Sequence, residues 1–153
     1  MIRVQHEPFD ASAELGAFRK SHDSAAATVM FIGTVREVSG NKAIAAMTLE
    51  HYPGMTERQL EAVDQEARQR WPITASLIIH RYGRMQPGED IVLVLAQSSH
   101  REAAFEAARF MMDFLKTRAP FWKFEEGEGG KAWVEARDSD DEAARRWEAA
   151  RRK

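Results

Sequence analysis

The stretch KTRAPFWKFE, residues 116–125, combines three cations with an apolar proline-aromatic centre. Pro120 cannot continue a helix, because proline lacks a backbone N–H and its ring clashes with the preceding turn. The Phe-Trp pair that follows is more apolar than a fully solvated loop requires. The stretch therefore predicts a stiff corner between a helix and a strand, with Lys116 on one side and Lys123 on the other.

The segments on either side of this corner have clear local signals. Residues 100–117 predict the most apolar helix of the chain, and Ser99 with Glu102 matches a capping box at its start. After the corner, GEGG at 127–130 predicts a turn and KAWVEAR at 131–137 a final strand. The corner is thus expected to join a buried helix to a terminal hairpin.

The upstream half of the chain contains further strand patterns. Residues 2–6 alternate like a short strand, and 27–52 predict a β-hairpin closed by SGNK at 39–42. Residues 73–83 and 90–98 predict two more strands, joined by a loop that contains Pro-Gly.

Three more helices are predicted between and after these strands. Asp10 is a good N-cap for a helix to about Phe18, and Thr56 with Gln59 resembles a capping box. A charged helix is expected from Ser139 onward. The mixed order of strands and helices predicts an α+β fold. The helix after Thr56 has an apolar stripe at spacings of three and four: Leu60, Val63, Ala67 and Trp71.

Bulk composition predicts a single domain over residues 1–153. Apolar residues make up 44% and charged residues 30%, which is typical of a globular protein, and the net charge of −2 gives no global attraction to nucleic acid or anionic membranes. No apolar run approaches the roughly 20 residues of a membrane span, and the N-terminus lacks a signal-peptide core, so a cytoplasmic location is expected. The chain has no cysteine, which excludes disulfides, thiolate metal sites and cysteine nucleophiles.

The two lysines of the corner have alternative interpretations. Lys116 in the last turn of a helix favourably meets the helix dipole, and Lys123 on an extended segment is compatible with a solvent-facing strand position. If the corner folds the segment back, the two ammonium groups converge, lower each other's pKa and form an anion site. Spacing alone leaves both interpretations open.

Other cations are candidate anion ligands. Arg36 ends the strand FIGTVR, and His100 with Arg101 lies at a helix start, where free N–H groups favour a phosphate. Solvated arginines are the alternative at both places. Lys116 follows His100 by sixteen residues on one helix, about 24 Å along its axis. If both clusters serve one site, a second copy of the chain must supply one of them, so a homodimer with shared sites is a hypothesis.

Metal and nucleophile chemistry receive little support from the sequence. His51, His80 and His100 lie on three different predicted elements without metal-ligand spacing. No glycine-rich phosphate loop precedes a helix, and no serine lies in a nucleophile-elbow pattern. Neither a metal nor a cofactor is expected.

The motifs FIGTVRE, LEHYPGMTE, IIHRYG, QSSHREAAFEA, DFLKTRAPFWKFE and KAWVEAR occur in order between residues 31 and 137. Together they resemble the large, catalytic subunit of molybdopterin synthase. The resemblance implies an α/β hammerhead-type fold and a sulfurtransferase that converts cyclic pyranopterin monophosphate to molybdopterin. It also implies a small ubiquitin-like subunit that carries sulfur as a C-terminal Gly-Gly thiocarboxylate, one at each end of a large-subunit dimer in a heterotetramer.

The same resemblance implies the site residues. Lys116 is the implied general acid or base, and Lys123 the implied partner of the thiocarboxylate. Phe124 departs from the basic residue expected there, so a side-chain ionic role at this position is not expected. The implied substrate-binding positions are Thr34, Val35, Arg36, His100, Arg101, Lys116, Lys123, Phe124 and Glu125.

The competing interpretation is a non-catalytic module that binds RNA or another anion. Phe121 and Trp122 are able to stack on bases. The acidic run at 125–128, the net negative charge and the lack of a long basic stripe argue against it. A scaffold without activity is a weaker third interpretation.

Overall fold

The computed structural model describes residues 1–22, 25–134, 142 and 145–147. Strands and helices are mixed along the chain, so the predicted α+β class is confirmed. In chain order the elements are β1 Ile2–Gln5, α1 Ala11–Ser21, β2 Ala27–Thr34, β3 Val38–Ser39, β4 Lys42–His51, α2 Met55–Arg70, β5 Ile73–Arg81, β6 Gly83–Met85, β7 Asp90–Ser98, α3 Arg101–Thr117, β8 Phe121–Gly127 and β9 Gly130–Trp133.

The strands form two sheets. The first has the order β1-β5-β7-β2, in which β1 runs parallel to β5 and the other neighbours are antiparallel. The second has the order β3-β4-β8-β9, and β6 also pairs with β4. The corner at Pro120 therefore delivers the chain from α3 into the middle of the second sheet.

The first sheet has helices on both faces, as the alternation along β7 requires. Val92 and Val94 face α2 and α3, whereas Leu93 and Leu95 face α1 through Phe18. The stripe predicted on α2 lies in the first of these cores, so that prediction is confirmed. Burial on both faces makes β7 the central element of the molecule.

Helix α3 runs back along the first sheet. It begins two residues after β7 ends, and it packs against β7 and β2, so its direction opposes that of β7. The end of α3 therefore returns to the end of the sheet where β7 begins, at Asp90, which pairs with Thr34 of β2.

The predicted hairpin over residues 27–52 is wrong. Strand β2 pairs with β7 in the first sheet, whereas β4 pairs with β8 in the second. The turn itself exists, but it joins β3 to β4 at Gly40, which adopts the left-handed φ of 63°. The local turn signal was correct, but the partner of β2 is a distant apolar strand that buries it better.

Two of the three predicted helix caps also differ from the structure. Asp10 is confirmed, since its carboxylate accepts the N–H groups of Ser12 and Ala13. Helix α2 begins at Met55, and Glu57 accepts the N–H of Gly54 at 2.6 Å, so Thr56 does not cap it. No side chain caps α3, so the predicted capping box of Ser99 and Glu102 is wrong; instead the N–H of the N-cap residue His100 donates to the Ser98 hydroxyl at 3.1 Å.

The end of the chain is described only in part. Strand β9 covers the start of the strand predicted at 131–137, and residues 135–137 lie outside the described residues. Most of the helix predicted from Ser139 also lies outside them, while positions 142 and 145–147 are helical. Trp147 is buried against the core at the α2 and α3 face. None of the helices in the described part of the chain is long and apolar enough to cross a membrane.

Candidate active site

The predicted corner is present. Helix α3 ends at Thr117, where the Arg118 N–H donates to the Phe114 carbonyl at 2.8 Å, and β8 begins directly after Pro120 at Phe121. Because proline prevents the helix from continuing, the chain changes direction here and enters the second sheet.

The Phe121 ring anchors this corner to the first sheet. It stacks on His80 of β5, with ring centroids 3.9 Å apart and an interplanar angle of 19°. The imidazole Nδ1 lies 2.9 Å from the Arg81 carbonyl, and burial lowers the pKa of His80 from 6.5 to about 4. At neutral pH the ring is therefore uncharged and serves as a flat packing surface.

The other two histidines that the sequence analysis considered, His51 and His100, do not join His80 in one cluster. His51 is 4.5 Å from Tyr82 and 6.2 Å from Phe121 between ring centroids, whereas His100 is exposed at the start of α3. Among the residues that the structure describes, no three His, Asp or Glu side chains come together as a metal site.

Lys123 and Glu125 form an ion pair on the inner face of the second sheet. Lys123 lies opposite Leu49, and Glu125 opposite Met47, so both side chains project from the face on which these two buried residues lie. The lysine Nζ is 2.8 Å from Glu125 Oε1, and the two side chains are 35% and 15% exposed. The result is a half-buried ammonium held by a carboxylate above an apolar floor.

Phe124 lies on the opposite face of β8. Its ring contacts Trp133 of β9 at 3.7 Å between centroids, and Trp122 on the same face contacts Tyr52 at 4.3 Å. The Phe124 side chain therefore packs away from Lys123, and only its backbone belongs to the ion-pair face.

Residues 34–36 connect β2 of the first sheet to β3 of the second sheet. They lie at the end of the first sheet where β7 begins. The Val35 N–H donates to Glu89 O, and the Gly88 N–H donates to Val35 O, both at 2.9 Å. The Val35 side chain is buried against Met47 and Leu49, the floor beneath Lys123. Thr34 and Arg36, on either side of it, are exposed.

The structure thus divides the predicted site residues into two groups. Lys116 is exposed in the last turn of α3, at the end of the first sheet where residues 34–36 leave it. We call the set of Thr34, Val35, Arg36, Lys116, Lys123 and Glu125 the lysine corner.

The second group, His100 and Arg101, lies at the opposite end of helix α3 from Lys116. Both residues are exposed at the start of α3, about 22–24 Å along the helix from Lys116. Strand β7 gives a similar distance, about 26 Å between Ser98 and Asp90. One small ligand does not reach both groups of one chain. We call these two residues the helix-start pair.

Arg81 is a supporting residue that the sequence did not predict. It is buried, and its guanidinium donates to the Asp90 carbonyl at 3.0 Å and to the Glu89 carboxylate at 3.3 Å. Because Glu89 O also accepts the Val35 N–H, Arg81 fixes the loop that holds residues 34–36. Whether an arginine is buried depends on tertiary contacts, which a sequence does not show. The one signal in the sequence was the presence of a charged residue in an otherwise apolar strand.

Comparison with known proteins identifies the family. The family model described as MoaE protein matches residues 4–118. The chain belongs to the MoaE family. Among MoaE relatives, the molybdopterin synthase catalytic subunit of Pseudomonas aeruginosa is 51% identical over 147 residues, covering 96% of this chain and 98% of the relative. The catalytic subunit from Escherichia coli K12 is 49% identical over 146 residues, covering 95% of this chain and 97% of the relative.

Solved MoaE structures have the same fold. The molybdopterin biosynthesis MoaE protein from Burkholderia ambifaria MC40-6 matches with a TM-score of 0.81 at 48% identity, covering 96% of this chain and 97% of that one. Molybdopterin synthase from Staphylococcus aureus matches with a TM-score of 0.78 at 29% identity, covering 87% and 96%. The chain is therefore a catalytic subunit of molybdenum cofactor biosynthesis, which replaces the interpretation as an RNA-binding module.

Proposed function

We propose that this MoaE chain transfers sulfur to cyclic pyranopterin monophosphate and so forms the dithiolene of molybdopterin. The sulfur arrives as the C-terminal Gly-Gly thiocarboxylate of a small ubiquitin-like subunit. A chain without cysteine forms no persulfide, so a sulfur carrier must be a separate molecule. The relatives' description as catalytic subunits supports a second, non-catalytic subunit in the assembly.

The observation that carries the proposal is the ion pair of Lys123 and Glu125 beside the end of α3. A thiocarboxylate and a cyclic phosphate are both anions, and bringing them together requires cations that water does not fully screen. Lys123 is half-buried above Leu49, so its charge acts at low local dielectric constant. Glu125 holds this ammonium in place while no substrate is bound.

The proposed roles of the two lysines differ. Lys123 binds the thiocarboxylate and polarises the pterin carbon under attack. The new carbon–sulfur bond replaces a carbon–oxygen bond, and Lys116 transfers the proton that the departing oxygen requires. Water then hydrolyses the acyl–sulfur bond, which releases the small subunit as a carboxylate. Each of the two dithiolene sulfurs requires one carrier.

The helix-start pair completes the site from a second copy of the chain. His100 and Arg101 lie too far from Lys116 of their own chain to share a ligand with it, yet they offer a cation at a helix N-terminus, which suits a phosphate. We therefore infer a homodimer in which each lysine corner receives the helix-start pair of the partner, with a small subunit bound at each end.

Reconstitution with thiocarboxylated small subunit and the pterin precursor tests the mechanism. Lys116→Ala is expected to lower turnover by at least about a hundredfold, because proton transfer loses its catalyst, while binding of the small subunit is retained. Lys131→Ala is the matched control, since Lys131 is an exposed lysine on β9 that pairs with Glu126. Wild-type turnover by Lys116→Ala would remove this lysine from the mechanism.

Substitution of two neighbouring glutamates, which lie on opposite faces of β8, tests the role of the ion pair. Glu125→Gln keeps the shape of the side chain but frees Lys123, so kcat should fall about tenfold to a hundredfold through loss of orientation. Glu126→Gln removes a carboxylate that pairs with Arg84 and Lys131 on the other face and should leave kcat unchanged. Equal effects of the two substitutions would contradict the role of the ion pair.

A further inference from the structure

The Phe121 ring packs against two cores at once. It packs on the helical core of the first sheet, which includes Leu115 of α3, and on the floor beneath Lys123, which includes Met47 and Leu49. In the described part of the chain, no other hydrophobic side chain packs against both of these cores. Phe121 therefore connects the core that holds the end of α3 to the floor beneath Lys123.

The backbone around Pro120 is held tightly as well. The Ala119 N–H donates to the Phe114 carbonyl at 3.2 Å, and the Phe121 N–H donates to the Ala119 carbonyl at 2.8 Å. The second bond closes a three-residue turn around Pro120, whose ring fixes its own φ. Because this turn has little freedom, a displacement of Phe121 moves α3 or β8 with it.

His80 fixes the position of the Phe121 ring. It is 7% exposed, and its ring centroid lies 3.9 Å from that of Phe121, whereas the His51 centroid lies 6.2 Å away. The Nδ1 of His80 donates to the Arg81 carbonyl, which sets the orientation of the ring. Burial lowers the pKa of His80 to about 4, so the ring is uncharged at neutral pH. Its contribution at this place is therefore geometric.

We propose that His80 is a positioning residue for sulfur transfer, and that its stack on Phe121 sets the placement of Lys116 relative to Lys123. Lys116 lies on the helix that ends at the corner, and Lys123 lies on the strand that begins after it. The inference rests on the proposed function, which requires both ammonium groups at one reacting carbon. A misplacement of about 1 Å costs as much as a hundredfold in rate, so a ring that holds the corner affects turnover without touching the substrate.

A purely structural role of His80 makes a different prediction. A residue that only keeps the chain folded lowers turnover in proportion to the protein that it unfolds. A positioning residue lowers kcat in protein that is fully folded. It leaves KM for the pterin and the affinity for the small subunit nearly unchanged, because no binding group is removed. Comparison of kcat with KM and with the free energy of unfolding therefore separates the two roles.

Two replacements of His80 separate its stack from its hydrogen bond. His80→Asn keeps a donor for the Arg81 carbonyl but removes the ring that lies on Phe121. His80→Phe keeps an aromatic ring for the stack but removes the hydrogen bond to that carbonyl. We expect kcat to fall at least about tenfold in His80→Asn and to stay within about threefold of the wild type in His80→Phe. Equal losses of kcat in the two variants, or wild-type kcat in His80→Asn, would overturn the proposal.

Replacement of Phe121 tests the other half of the stack. Phe121→Leu keeps an apolar side chain but removes the ring, and it should lower kcat at least about tenfold. Phe110→Leu is the matched control, because Phe110 is 5% exposed on the helix that carries Lys116 and its ring lies 5.5 Å from that of Trp71. It should lower the free energy of unfolding at least as much as Phe121→Leu but keep kcat within about threefold. A loss of kcat in Phe110→Leu as large as that in Phe121→Leu would assign both effects to stability and contradict the proposal.

The distance between the two lysine positions tests the proposal without any substrate. The chain has no cysteine, so Lys116→Cys combined with Lys123→Cys provides two sites for thiol-specific spin labels without background. Electron paramagnetic resonance measures the distribution of distances between the labels at pH 7. Addition of His80→Phe should leave this distribution unchanged, whereas addition of His80→Asn should shift or broaden it. An unchanged distribution with His80→Asn would overturn the positioning role.

The outcomes separate this inference from the proposed function. A wild-type protein that fails to make molybdopterin would contradict the proposed function, and the label distances would still decide whether His80 positions the corner. An active wild-type protein whose kcat is insensitive to His80→Asn would overturn the inference and leave the proposed function standing.

Discussion

At the scale of single residues, His80 links the packing of the corner to pH. Its folded-state pKa of about 4 lies below the ordinary value of 6.5, because burial disfavours the charged ring. Between these two pH values the unfolded chain holds a proton that the folded chain does not. The free energy of unfolding therefore falls as pH drops from about 6.5 to about 4, by up to about 3 kcal/mol from this group.

Replacement of His80 should reduce this pH dependence. Asparagine retains an amide donor for the Arg81 carbonyl but does not titrate. We expect the free energy of unfolding of His80→Asn to fall by about 3 kcal/mol less than that of the wild type between pH 7 and pH 4. Urea denaturation at several pH values measures both slopes. Parallel slopes for the two proteins would show that His80 does not carry the dependence.

Single residues also show which features of the candidate site are predictable from the sequence. Alternation along β8 was enough to separate Lys123 from Trp122 and Phe124, and the proline rule was enough to place the corner. The floor beneath Lys123 was not predictable, because it depends on the register between β8 and β4, strands that lie far apart in the sequence. The two-residue period of a strand predicts that Lys123 and Glu125 lie on the same face, where they are able to pair. It does not predict that the pair is partly buried.

At the scale of elements, Trp147 attaches the end of the chain to the helical core. Its ring centroid lies 5.5 Å from that of Trp71 and 5.4 Å from that of Phe110, and its Nε1 donates to the Asp113 carboxylate at 2.8 Å. The sequence predicts only a charged helix from Ser139 onward. The burial of Trp147 shows that this residue belongs to the core.

Truncation of Trp147 should destabilise the whole protein. A buried tryptophan replaced by alanine loses its apolar burial and leaves a cavity, which costs about 3–5 kcal/mol. We expect Trp147→Ala to lower the free energy of unfolding by that amount, as measured by chemical denaturation. Trp133→Ala is the control, since Trp133 is 60% exposed and should cost much less. A loss below about 1 kcal/mol for Trp147→Ala would mean that the ring contributes little.

Elements also explain where sequence reasoning failed. Most helices and strands are predictable from the sequence, because the periodicity of apolar residues is a local property. The pairing of β2 was wrong because strand partners are chosen by burial across the whole chain, not by the nearest turn. The caps of α2 and α3 were misplaced by one or two residues because several polar residues compete at each helix start.

At the scale of the whole molecule, the shared site predicts complementation between two inactive variants. Lys116→Ala and Arg101→Ala each damage every site of their own homodimers. When the two variants are co-expressed, half of the dimers are mixed, and each mixed dimer has one intact site. We expect kcat/KM to recover to roughly a quarter of the wild-type value.

Assays of each variant alone and of the co-expressed mixture measure this recovery. The control is co-expression of two separately tagged Lys116→Ala chains, which offers no intact site and should stay inactive. A mixture no more active than its parents would contradict the exchange of the helix-start pair between copies.

Helix α3 limits where this chain is able to gain or lose residues. In the proposed dimer it contributes Lys116 to one site and Arg101 to the other. Each helical residue adds 1.5 Å and about 100° of rotation, so one inserted residue would turn the two side chains away from their common orientation and impair both sites together. Surface loops are free to gain or lose residues, whereas α3 is free to exchange side chains but not to change its number of residues.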